Sequence, residues 1–233
     1  MRVVLTGGGT AGHLTPFAPI IEALRAAAAR QSIKLELLFM GTVTASTQTF
    51  FSAYDVPVMY IPAGKLRRYV SSLTIIDVLF RTPLGVVMAL VRLFFIMPDV
   101  VISKSGYASV PIVLAAAFYR IPILLHESDA VPGLATRRLA RLAAAIGVGF
   151  SATRDALPHW AHKIFVVGIP TRRELMLVTL QEARQAFKLS ATERVLLVMG
   201  GSQGAAQINE VLLRVLPSLL TDMAIIHITG DAH

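Results

Sequence analysis

His13 stands directly behind Gly7-Gly8-Gly9-Thr10-Ala11-Gly12, a glycine-rich run that follows an apolar segment and opens one with helical spacing. An imidazole titrates near neutrality, so a histidine here can take a proton from a poor nucleophile such as a hydroxyl. The positive end of the following helix favours its neutral form, which a base requires. The alternative is a ring that only bonds a backbone carbonyl. Glycine loops recur at Ser105-Gly106-Tyr107 and Gly200-Gly201-Ser202-Gln203-Gly204-Ala205. Glycine lets the chain turn sharply, and free N–H groups at a helix start attract anions, above all phosphate. A single such loop is equally well a strand-to-helix turn. Three of them point to an anion-binding crevice, with Gly9, Gly106, Tyr107, Gly201 and Gln203 as candidate contacts to a phosphate-bearing ligand. Tyr107 either covers a substrate face or caps the sheet.

His126, Glu127 and Asp129 follow another apolar run, at the strand edge where open α/β sheets place ligands. Glu127 is a second candidate base, or the group that orients His13; otherwise it caps the helix expected from residue 134. Arg172 and Arg173, in GIPTRRE, offer guanidinium forks that match phosphate oxygens, or lie in a solvated linker. There is no cysteine, and His159, His162 and His233 show no metal-ligand spacing, so neither a protein-bound metal nor a cofactor is expected. Gly7, Gly9 and Gly12 satisfy G-x-G-x-x-G. The second strand, however, ends Phe39-Met40-Gly41-Thr42 without the acid that holds a ribose, and Glu36 lies inside that strand. A redox dinucleotide enzyme is therefore disfavoured, and a Walker loop fails for want of Lys-Ser/Thr.

Short apolar runs at 3–5, 35–40, 57–61, 100–103, 121–126, 146–149 and 164–167 read as strands, with helices over 16–29, 73–97, 110–119 and 134–145. A break is expected near Pro83. The runs are continuous rather than alternating, as in a parallel sheet covered on both faces. Strand–helix alternation with glycine turns predicts a doubly wound α/β domain over residues 1–168. The pattern resets around 168–173. Residues 169–233 then read as the first β-α-β of a second Rossmann-like domain, with strands at 194–199 and 224–229 and a helix over 206–220. One such unit buries too little surface to stand as a complete domain.

The chain has 233 residues, 55% of them hydrophobic, which excludes a disordered polymer. Its balance of 22 basic against 14 acidic residues, +8, favours an anionic partner. The N-terminal apolar stretch is too short for a secretory signal. Residues 82–102 form the best spanning candidate, but Arg92 and Asp99 interrupt it and predict a buried or interfacial helix. From Lys65 to Lys104, six basic residues face two acids, interleaved with bulky apolar side chains. That mixture suits shallow insertion into an anionic membrane surface, or else a core helix with a solvated edge. No basic-aromatic motif or recognition helix argues for nucleic acid.

In order along the chain, GGTAGHLTP, KSGYASVP, IPILLHESDAVPGLATRRLA, VGIPTR and GGSQGAAQIN resemble motifs of the MurG glycosyltransferase family. The resemblance implies a GT-B fold with a crevice between two domains. It also implies inverting transfer of N-acetylglucosamine from its UDP donor to the muramoyl 4-hydroxyl of undecaprenyl-diphosphoryl-muramoyl-pentapeptide (lipid I), a step of peptidoglycan synthesis. A peripheral site on the cytoplasmic face of the plasma membrane follows, because the acceptor is membrane-anchored. By the same resemblance His13 assists catalysis, Thr10, Ala11 and Gly12 lie at the donor cleft, and Asp129, Arg172 and Ser202 occupy donor-side positions. Ala11 stands where the family usually has glycine, and Asp129 and Ile169 where it usually has asparagine. Most of the family's C-terminal domain has no counterpart here, so the chain is expected to be either a fragment or one half completed by a partner that carries the rest. A related lipid-linked sugar transferase, or a non-catalytic acceptor- or membrane-binding subunit, is the alternative.

Overall fold

A computed structural model describes residues 1–8, 14–64, 74, 77–201 and 204–230. Two compact units result, Met1–Thr171 and Arg172–His233. The first extends three residues past the expected boundary because Gly168 and Ile169 still pack on it. His126 bonds the Gly168 carbonyl, and the Ile169 side chain lies against Gly149.

The first unit is built on a seven-stranded parallel sheet in the order β3-β2-β1-β4-β5-β6-β7. The strands are β1 (Arg2–Thr6), β2 (Glu36–Gly41), β3 (Val58–Tyr60), β4 (Val100–Ser103), β5 (Ile123–Glu127), β6 (Ala145–Val148) and β7 (Ile164–Val166). Successive side chains of β1 enter opposite cores. Val3 and Leu5 meet Phe17 and Ile21 of α1 (Phe17–Arg30), while Val4 packs with the cluster that holds Ile112 and Ala116 of α4 (Val110–Phe118). Both faces are thus apolar, which is why the runs do not alternate. Under the first face, Phe39 stacks on Phe51 at 4.2 Å between centroids, and Phe17 meets Phe39 edge-on at 5.9 Å. Such pairs add roughly 0.5–1.5 kcal/mol each beyond their burial.

The doubly wound α/β expectation holds for this unit, with three corrections to its helices. The helix read over 73–97 is α3 (Thr82–Ile96), preceded by a π-helical turn, Asp77–Arg81. Pro83 sits in the first turn of α3, where a missing N–H costs nothing, and does not break it. The helix read over 134–145 ends early: α5 (Leu134–Leu139) passes into a 3-10 turn, and Ala145 is drawn into β6 opposite Leu124. Between β2 and β3 lies α2 (Ala45–Ser52), absent from the sequence reading, whose first turn is capped by the Thr44 hydroxyl accepting from Thr47 N–H. A short α6 (Ser151–Asp155) follows β6.

Residues 82–102 are not one segment. Met97, at φ 44°, ends α3, and the chain enters β4, where Val101 and Ile102 are buried. By length and composition alone, Leu79–Ile96 is enough to cross a membrane. Gly85, Ala89 and Leu93, at four-residue spacing, are buried against the fold, while Leu84, Val87, Val91, Phe94 and Phe95 face outward. Phe94 meets Tyr119 at the end of α4, next to Phe118, which is 72% exposed. The helix therefore has one face buried against the fold and one apolar face exposed.

In the second unit β8 (Val195–Met199) and β9 (Ala224–Ile228) pair in parallel, with α8 (Ala206–Leu219) between them in sequence. Asn209 ties α8 to the second strand: its Nδ2 donates to the Thr229 carbonyl, and its Oδ1 accepts from His227 Nε2–H. The shorter α7 (Leu180–Ala186) carries a reciprocal cap between Thr179 and Glu182.

Candidate active site

The strand order reverses between β1 and β4, so the connections leaving their paired carboxyl ends turn to opposite sides of the sheet, the place where open α/β sheets hold ligands. The first two glycine loops meet there. A side chain on Gly106, whose φ is +83°, would strike the Gly8 backbone at 3.2 Å, and one on Gly7 would lie 3.0 Å from Lys104 Cβ and 3.1 Å from the Phe17 ring. At Gly106 the left-handed backbone and the close Gly8 main chain call for glycine, whereas at Gly7 a methyl would crowd side chains, Lys104 and Phe17. Ser105, at φ +58°, also takes the left-handed conformation, and its buried Oγ has no hydrogen-bond partner. The buried hydroxyls of Thr6 and Thr42, at the ends of β1 and β2, are likewise unpartnered. Three orphan hydroxyls along one sheet edge are costly without a ligand or water to satisfy them.

Lys104, counted in the sequence as part of a basic surface, is 3% exposed. Its Nζ donates to His126 Nδ1 at 2.7 Å and to Ser128 Oγ at 2.5 Å. Burial pulls its ammonium down to about 8, against the opposing pull of Glu127 and Asp129. Burial, and then the Lys104 charge, push the His126 ring below its ordinary value, while the Gly168 carbonyl and Glu127 pull the other way. Nε2–H donates to the Gly168 carbonyl at 3.1 Å, which leaves Nδ1 as the acceptor for Lys104 and fixes the neutral tautomer.

Glu127 is 7% exposed and spends its carboxylate on three donors. Oε1 accepts from Asp129 N–H at 3.1 Å. Oε2 accepts from Gly133 N–H at 3.1 Å and from the Thr136 hydroxyl. These are the helix-capping partners named as the alternative to a base. Asp129 is exposed, and its carbonyl accepts from Thr153 Oγ1. Tyr107 is half-buried in a 3-10 turn, Tyr107–Ser109, that leads into α4.

In the second unit, Gly201 is exposed and its carbonyl accepts from Gly204 N–H at 2.8 Å, while Arg172 is exposed at the start of a 3-10 turn. Gly9, Thr10, Ala11, Gly12, His13, Ser202 and Gln203 lie outside the described residues. The structure thus brings Gly106, Tyr107, Glu127 and Asp129 to one sheet edge. Sequence reasoning missed Lys104 there. Its signal was a lysine set between a strand and a glycine, where solvation is scarce. Among the described residues no group of three His, Asp or Glu side chains has metal-site geometry.

Residues 3–148 match the glycosyltransferase family 28 N-terminal domain. The chain belongs to glycosyltransferase family 28. It is 37% identical over 229 residues to the UDP-N-acetylglucosamine–N-acetylmuramyl-(pentapeptide) pyrophosphoryl-undecaprenol N-acetylglucosamine transferase of Lachnospira eligens, covering 98% of this chain and 62% of that one. It is equally similar, at 37% over 232 residues, to a Bacillus thuringiensis transferase of the same description, of which it covers 63%. The chain thus spans a little under two thirds of the length of these family 28 relatives. The crystal structure of Acinetobacter baumannii MurG superposes with a TM-score of 0.66 at 22% identity, over 99% of this chain and 59% of that one. The UDP-GlcNAc 2-epimerase of Neisseria meningitidis bound to UDP-GlcNAc gives 0.65 at 17%, over 99% and 66%. These likenesses are of fold, and they agree with the expected GT-B architecture.

Proposed function

We propose that the chain forms the acceptor side of an inverting transferase that moves N-acetylglucosamine from UDP-N-acetylglucosamine to the muramoyl 4-hydroxyl of lipid I, in peptidoglycan synthesis. The carrying observation is the switch point between β1 and β4, where Gly8 abuts Gly106 beside the orphan hydroxyls of Thr6 and Ser105. Loop amides and unpartnered hydroxyls at such a point suit a diphosphate, which the acceptor and donor both carry. The names of the relatives support that substrate pair. In this reading His13 takes the hydroxyl proton, because the Glu127 carboxylate is already occupied by three donors. Loop amides and Arg172 then steady the leaving diphosphate as its charge grows.

The outer face of α3 fits the same reading. Leu84, Val87, Val91, Phe94, Phe95 and Phe118 form an apolar surface flanked by Arg81, Arg92 and Arg120. Apolar side chains ringed by arginine favour the anionic leaflet in which a polyprenyl acceptor resides. Lys104 and Asp77 take no part in that surface, being buried, and Asp77 pairs with Arg81 at 2.9 Å.

A second reading, a non-catalytic acceptor- or membrane-binding half, is favoured by the two-stranded sheet described in the second unit. Transfer of labelled N-acetylglucosamine to lipid I separates the two. Turnover by the 233-residue chain supports the first. Turnover only after a C-terminal half is added supports the split form, and none with either preparation refutes the sugar-transfer reading. Loss of turnover in His13→Ala is expected, and full retention removes the base assignment.

A further inference from the structure

We propose that Lys104 is a positioning residue that, acting through His126, latches the Gly168 carbonyl and so sets the path by which the chain leaves the first unit. The inference goes beyond sugar transfer and does not depend on it.

The latch runs across the ends of four neighbouring strands. Lys104 leaves β4 and reaches Nδ1 of His126 on β5, and the ring then passes over β6 to the carbonyl of Gly168 beyond β7. Gly147 makes that crossing possible. A Cβ there would lie 3.3 Å from His126 Cδ2 and 2.9 Å from Val167 Cγ2. Gly168 itself sits at φ +78°, a conformation that turns the strap, and its N–H donates to Val148 at 3.2 Å. Neither end of this chain works alone. The two contacts select the same tautomer: the Gly168 carbonyl needs the proton on Nε2, and the Lys104 ammonium needs a bare Nδ1, so losing Lys104 removes one of the two groups that hold the ring in register with Gly168. Among the described residues, the charged groups acting on the ring are Lys104 and Glu127, and those acting on Lys104 are Glu127 and Asp129. A ring that gains a proton at Nδ1 turns a donor toward the Lys104 ammonium. Acidification therefore opens the Lys104 contact.

The test is nitrogen-detected NMR of the histidine rings in the 233-residue chain, with His126→Phe identifying the signals. At neutral pH His126 is expected as the Nε2–H tautomer, with a protonation midpoint below 6.5. Lys104→Met is expected to mix the tautomers and raise the midpoint, because a neighbouring cation is gone. Lys104→Gln keeps a donor without the charge and should raise the midpoint alone, which covers the case that the methionine variant does not fold. In His126→Phe the segment loses the bond to the Gly168 carbonyl, so the Gly168 N–H, which donates to Val148, should open and exchange about fivefold to tenfold faster, the effect of one lost anchoring hydrogen bond. An Nδ1–H tautomer, a midpoint at or above 6.5 in the native chain, or Gly168 exchange unchanged in His126→Phe would each overturn the latch.

Discussion

Replacing Lys104 with methionine should change the way stability responds to alkali. The side chain is nearly solvent-free, and its ammonium is pulled from the usual 10.5 to about 8 chiefly by burial. Below about 8 the lysine is charged in both the folded and unfolded chain, and the fold carries the whole desolvation cost. Between 8 and 10.5 the unfolded chain holds a proton that the folded chain has released, so stability rises with pH across that window. At about 1.4 kcal/mol for each tenfold difference in proton affinity, the rise is about 3 kcal/mol. Methionine fills a similar volume and has no proton to lose, so its curve lacks this rise. His126, whose midpoint Lys104 influences, titrates on the acid side of this window, and groups away from Lys104 cancel in the difference. Urea unfolding followed by Trp160 fluorescence reads the right unit, because this single tryptophan packs on the first unit's core. The native-minus-variant difference should climb by about 3 kcal/mol from pH 8 to 10.5. Parallel curves, within about 1 kcal/mol over that range, would mean that Lys104 is solvated and that the buried network is wrong.

Gly7→Ala sets a methyl 3.0 Å from Lys104 Cβ and against the Phe17 ring, and should cost about 1–3 kcal/mol by overpacking, read as a lowered urea midpoint. Thr136→Val removes the hydroxyl that donates to Glu127 and should destabilise the first unit by about 1–3 kcal/mol, because a buried carboxylate loses a donor. Phe94→Ser with Phe95→Ser should cut flotation with anionic vesicles by tenfold or more, given about 1.5–3 kcal/mol for burying each ring. Equal binding of the native chain to neutral and anionic vesicles would count against the membrane reading.

The sheet was legible because its strands are short apolar runs bounded by glycine or proline, and β1, β4 and β5 begin within two residues of where those runs do. Elements that depend on competition were harder to read. The stretch Leu134 to Ala145 is helical by composition throughout, yet Ala145 joins β6 because the ladder to Leu124 rewards it more than one further helical turn. The sequence ASTQTFFS of α2 has little apolar periodicity, and only Thr44 as a cap announced it. Within the site, the positions of Gly106, Glu127 and Asp129 at a strand edge followed from the βα pattern. The role of Lys104 did not, since counting charges along a segment cannot separate a solvated ammonium from one enclosed between strand ends.

The two apolar faces of α3 carry a consequence for how the chain is made. As Leu79–Ile96 emerges from a ribosome it offers an insertion apparatus a signal sufficient in length and composition for a transmembrane segment. What withdraws it is the stripe of Gly85, Ala89 and Leu93 closing on α4, the next helix to be synthesised. Contacts so near in chain order form early. Substitutions that enlarge Gly85, whose Cβ would fall 1.9 Å from the Pro62 carbonyl oxygen, should loosen the buried stripe and leave both faces of α3 uncovered.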